Sequence, residues 1–145
     1  MFDIDHQPQP TPHTCAQACL AMVTGHSVKE VIGILGDKEL SYRDEIKFLV
    51  DHKIFPTPIN SVDHKMVIPY HGFYLGTCPS LNTPGKLHRV IVENLVENLD
   101  EIVVRDPCFD PELKTQERKF YQWNAVYNNE IFFFELTYLD LEILK

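Results

Sequence analysis

From Cys15 to Val23 the chain runs through small and apolar residues, with Gln17 the only polar side chain among them. Such a run, closed by Gly25 as a stop signal, predicts a helix. A helix apolar on nearly every face does not belong at a surface, so it predicts a domain assembled around it. Ahead of it, prolines at 8, 10 and 12 keep residues 1–13 extended and non-helical. The chain therefore feeds an extended segment into the start of a buried helix. It places a thiol, Cys15, at that junction.

The next elements are signalled by their caps. Ser27-Val-Lys-Glu30 reads as a capping box opening a second short helix that ends near Gly36. Ser41 caps a third, with Ile46, Leu49 and Val50 at amphipathic spacing, ending around His52. After Ile54 the character changes, and prolines at 56, 58, 69, 79, 84, 107 and 111 separate β-rich runs. The clearest strands are Phe73–Leu75, Leu87–Asn94, Glu101–Arg105 and Ile131–Tyr138. Helices first and an antiparallel sheet afterwards predict an α+β fold. A chain of 145 residues without repeat or linker predicts one domain, residues 1–145, with a core large enough to need no staple.

Composition narrows the function classes. A formal charge of −8 argues against a non-specific nucleic-acid binder, which needs a basic face. No window approaches eighteen consecutive apolar residues, so no membrane partner is expected. The N-terminus lacks the basic and apolar regions of a signal peptide, and the expected location is cytoplasmic unless export follows another route. Cys15, Cys19, Cys78 and Cys108 do not show zinc-site spacing: the first two are four apart on one helix face, and the others fall singly in separate loops. No metal or other cofactor is expected, and a disulfide framework does not suit a leaderless chain of this size.

Two later stretches supply what a nucleophilic cysteine lacks. Lys86-Leu-His88-Arg-Val-Ile-Val starts a strand with an imidazole, and Val104-Arg-Asp106-Pro ends the next with a carboxylate. A hairpin folded about residue 97 brings His88 and Asp106 to the same open end. Alternation puts His88, Val90 and Val92 on one face with Ile102, Val104 and Asp106. A helix N-terminus and a nearby imidazolium both favour the thiolate, so Cys15 becomes a nucleophile if His88 faces it. Asp106 then orients the imidazole. The backbone N–H of Cys15 and the side-chain amide of Gln9 are the natural donors to a developing oxyanion.

Gln9, five intervening residues, then Cys15-x-x-Ala-Cys-Leu-x-Met resembles the start of papain-like cysteine peptidases related to the bacteriocin-leader-processing peptidase domains. His88-Arg-Val-Ile-Val and Val-x-Asp106-Pro resemble that family's histidine and aspartate strands. The resemblance runs from about residue 7 to 138. It implies a papain-like fold, with the central helix and short helices on a C-terminal antiparallel sheet. It also implies metal-free catalysis by Cys15, His88, Asp106 and Gln9 on a peptide or protein substrate, through an acyl-enzyme thioester at a peptide or isopeptide bond. Where the bacteriocin-processing members carry Asp-Cys-Gly, this chain has Thr14-Cys15-Ala16, and double-glycine leader specificity does not follow.

Other readings use the same residues. A deamidase, an acyltransferase or a toxin or effector runs on the same triad, the acceptor that reaches the thioester deciding between them. A non-catalytic papain-like module binding a protein partner has no need of all four groups. Cys19, one turn deeper than Cys15, suits core packing. His13 is the rival base but sits in the loop that carries the oxyanion donor, and Gln7 competes with Gln9 for that role.

Overall fold

The structure is a computed structural model, and it describes residues 4, 7–11, 13–59, 72–79, 87–94, 103–105, 107, 120–122 and 135–141. Three helices come first: α1 (Cys15–Thr24), α2 (Val28–Leu35) and α3 (Tyr42–Asp51). Six strands follow: β1 (Ile54–Ile59), β2 (Gly72–Pro79), β3 (Leu87–Asn94), β4 (Val103–Arg105), β5 (Phe120–Gln122) and β6 (Glu135–Leu141). They form one antiparallel sheet in the order β1-β6-β2-β3-β4-β5. The fold is α+β, helices before sheet, as the order of sequence signals predicts.

Local chemistry sets the helix ends. Gly25 closes α1 in the left-handed region at φ 80°, its N–H bonded to the Ala21 carbonyl. Ser27 and Glu30 make a reciprocal capping box at α2, and Ser41 accepts from the Asp44 N–H at α3. The Ser27 bonds, followed by that of His26, hold the exposed Glu30 carboxyl below its ordinary range. α1 and α2 meet at a bend of 117°, and no single helix among the described residues is long and apolar enough to cross a membrane.

The helical layer covers one face of the sheet. Leu20, Met22 and Val23 of α1, with Val31, Phe48 and Leu49, form one core with Ile54, Phe73, Leu75, Ile91 and Leu139. The alternate set, Tyr74, Val90, Val92, Val104 and Leu136, is buried too, so both faces are covered. This accounts for the unbroken apolar run in β3, which a half-exposed strand does not tolerate. Pro56 and Pro58 fit β1 because it pairs only with β6 among the described strands, and alternate residues of an edge strand turn their N–H away from the ladder.

Several expectations need correction. α3 buries Glu45, Phe48 and Leu49 while Val50 is exposed, so its inward face lies rotated from the Ile46–Leu49–Val50 stripe. The rotation brings Glu45 against the sheet. There Arg89 Nε donates to Glu45 Oε1 at 3.1 Å, and Arg89 also bonds Glu45 Oε2 and Thr77 Oγ1. Cys78 lies in β2 rather than in a loop, and β2 and β6 extend past the expected ends at Leu75 and Tyr138. Residues 101–102 and 131–134 of the expected strands lie outside the described residues.

The β3–β4 register also differs. Val92 pairs with Val104 and Ile91 with Arg105, whereas a fold about residue 97 pairs them with 102 and 103. The shift is two residues, an even number, so Val92 and Val104 still share a face. Direct opposition of His88 and Asp106 does not follow from this register. Glu93 and Arg105 also share a face, and Arg105 Nε lies 2.7 Å from Glu93 Oε1.

Candidate active site

The thiol stands at the first residue of α1, half-buried, with Cys19 fully buried one turn on. Thr14 occupies the N-cap position but makes no side-chain cap. Its hydroxyl is diverted to the preceding loop, 2.9 Å from Thr11 Oγ1 and 3.2 Å from the Thr11 carbonyl. α2 and α3 receive a serine cap; α1 does not. The first intrahelical bond runs from the Ala18 N–H to the Thr14 carbonyl at 3.1 Å. The N–H groups of the first turn of a helix have no intrahelical partner, and with the aligned peptide dipoles they favour negative charge there.

Gln9 is buried in the loop leading to Cys15. Its Nε2 donates to the Thr11 carbonyl at 2.8 Å, which fixes the amide orientation and leaves a second Nε2 hydrogen to give. Its Oε1 has no partner among the described residues. The Gln9 N–H donates to the Pro107 carbonyl at 2.9 Å, tying this loop to the residue after position 106. Asp106 itself lies outside the described residues, as does Cys108. Gln7 is engaged elsewhere: its amide donates to the His26 carbonyl and accepts from the Val28 N–H, each at 2.7 Å.

His88 is the second residue of β3 and is buried, and α1 rests against this strand. By alternation its side chain belongs with Val90 and Val92, not with Ile91 in the helical core. His13, the rival base, is exposed, its Nε2 2.6 Å from Asp37 Oδ1.

Sequence reasoning missed the residues that hold the loop. Asp37 Oδ1 accepts from Thr11 Oγ1 at 3.2 Å as well as meeting His13. Gln17, the one polar residue of the buried helix, donates to the Gly36 and Lys38 carbonyls at 2.9 and 2.6 Å. The turn after α2 is thus bound to both the loop and α1. A lone Gln in an apolar run is the one signal that points this way, because a buried amide needs partners. Among the described residues no group of three His, Cys, Asp or Glu is placed to hold a metal.

A cysteine on the uncapped end of a buried helix, over an antiparallel sheet, defines an α+β domain with a thiol at its helix–sheet junction. That fold is shared with the peptidase domain of Streptococcus ComA, a bi-functional ABC transporter involved in a quorum-sensing pathway. The TM-score is 0.58 at 14% sequence identity, over 92% of this chain and 95% of that one. The resemblance expected from the sequence is therefore found in the fold. No family model matches the chain, and no curated protein matches it by sequence.

Proposed function

We propose that residues 1–145 form a single papain-like cysteine peptidase domain acting on a peptide or protein substrate. Cys15 is the nucleophile, His88 its base, Asp106 the group that orients the imidazole, and Gln9 the side-chain oxyanion donor. The observation that carries this reading is the N-terminus of α1, where a half-buried thiol stands at an uncapped helix end and the loop leading into it carries a buried, oriented glutamine amide. The ComA peptidase likeness supports it at the level of fold.

The chemistry follows from these proposed roles. His88 takes the Cys15 proton, and the thiolate attacks the scissile carbonyl carbon. The oxygen that becomes negative receives hydrogen bonds from the Cys15 N–H and Gln9 Nε2–H. The imidazolium returns its proton to the leaving amine, and water, activated by the same base, releases the acid from the thioester. The engagement of Gln7 by the α1–α2 turn favours Gln9 as donor.

The test is cleavage of a proteome-derived peptide library, read by mass spectrometry, with wild type, Cys15→Ala and Gln9→Ala. Wild type should produce cleaved peptides, Cys15→Ala should lose them by at least about 10³-fold, and Gln9→Ala by about 10²–10³-fold. Equal product sets from wild type and Cys15→Ala would remove the thiol from the mechanism. Gln-to-Glu mass shifts in place of cleavage would mark the same triad as a deamidase.

A further inference from the structure

We propose that His26 and His52 share a single proton and so form a pH-dependent clip between the α1–α2 turn and the end of α3. Their Nε2 atoms lie 2.9 Å apart, with ring centroids at 5.0 Å and the rings perpendicular. That separation suits one hydrogen held between two nitrogens. The outer nitrogens fix how many hydrogens the pair needs. His52 Nδ1 lies 2.8 Å from the Phe48 carbonyl, which only accepts, so this Nδ1 carries a hydrogen. His26 Nδ1 lies 3.3 Å from Glu30 Oε2. The bonds from Ser27, followed by that of His26, hold the Glu30 carboxyl below its ordinary range, and the ionised carboxylate also only accepts. The three contacts therefore need three hydrogens, whereas two neutral imidazoles carry two. The third is an added proton, and the pair bears one positive charge beside Glu30.

Loss of that proton breaks a contact wherever the two remaining hydrogens sit. With both on Nδ1, two lone pairs face each other across the Nε2 gap. With either moved to Nε2, a lone pair faces the Glu30 carboxylate or the Phe48 carbonyl instead. A second added proton puts hydrogens on both facing nitrogens and drives them apart. The clip thus closes on one proton. The unfolded chain has no such pair, so the closed clip binds more protons than the unfolded chain, and its contribution to stability is lost as pH rises. Among the described residues Glu30 is the only charged side chain bonded to either ring, and Lys29, Asp51 and Lys53 nearby along the chain are exposed. The rings are held in place: Phe48 packs on His52 with centroids 4.2 Å apart, and Gln7 bonds the His26 carbonyl and the Val28 N–H. The clip therefore gathers the α1–α2 turn, the end of α3 and the segment that leads to Gln9 and Cys15.

The experiment is NMR of the full chain with ¹⁵N-labelled histidine at about pH 6 and about pH 8.5, which brackets the upper range of histidine titration. At the lower pH both Nδ1 atoms should be protonated, with a scalar coupling between the two Nε2 nuclei through their shared hydrogen. At the higher pH that coupling should be gone. No coupling at either pH, or a coupling unchanged between them, overturns the proposal. Thermal melting of His52→Gln, whose side chain is neutral throughout, gives a second reading. The variant should melt about 3 °C or more below wild type at the lower pH and by less than half that deficit at the higher. Equal deficits at both also overturn the proposal. If the variant fails to fold, the coupling in wild type decides.

Discussion

Removing Arg89 while leaving Glu45 tests how the helical layer is joined to the sheet. The Glu45 side chain is 4% exposed and that of Arg89 13%, so the carboxylate is cut off from bulk water while α3 stays on the sheet. Arg89→Leu leaves a carboxylate buried without its cation, and losing one partner of such a pair costs about 3–5 kcal/mol. For a domain of this size each kcal/mol shifts Tm by about 2–4 °C, so melting should fall by about 6–20 °C. Thr77 loses its Arg89 bond as well, which adds to the cost. The double variant Glu45→Leu/Arg89→Leu removes both charges and replaces them with apolar volume. It should recover most of the loss, because a well-packed apolar substitute for a buried pair is often neutral or better. Urea denaturation of wild type, both single variants and the double gives the coupling energy directly. A single-variant cost under about 1 kcal/mol, or additive losses in the double, would refute the reasoning.

Gly25→Ala should cost about 1–2 kcal/mol from its left-handed φ of 80° alone, since open space surrounds the added Cβ; denaturation measures this. Ser41→Ala removes the cap of α3 and should cost about 1 kcal/mol by the same assay. The Glu30 carboxyl is held below its ordinary range, so its capping contribution is present above the unfolded value of about 4.3. That contribution is lost as pH falls through that value and the lower folded one. Glu30→Gln should flatten this part of the stability–pH curve, and an unchanged curve would contradict the assignment. Asp37→Ala frees both Thr11 and His13 from the turn after α2. It should slow alkylation of Cys15 more than it lowers Tm, and an equal rate would show that the turn does not position the loop.

Much of the helical half is legible because its signals are local. Gly25, the Ser27–Glu30 box and Ser41 each act within a few residues, and each sits where the structure uses it. The sheet is less legible because register is set at a distance. Nothing near residue 97 reveals that Val92 pairs with Val104 rather than with 102. The buried face of α3 was hidden for the same reason: Glu45 reads as a surface charge until Arg89, far along the chain, arrives to pair with it. At the site, the thiol at the helix start could be read from residue order, whereas residue order left Gln7 and Gln9 both open as donors, and only the family resemblance selected Gln9. The diversion of Thr14 from capping could not, since Thr before an apolar run is an ordinary N-cap signal and only the bonds to Thr11 remove it.

The central claim is that Cys15 is a thiol activated by His88. The most direct measurement is the iodoacetamide labelling rate of each cysteine across pH, by peptide mapping, in wild type and His88→Ala. The account predicts that Cys15 alone labels fast at about pH 6, well below where an ordinary thiol reacts, and that His88→Ala slows it at least about tenfold. Uniformly slow labelling of all four cysteines, or a Cys15 rate indifferent to His88, would contradict it.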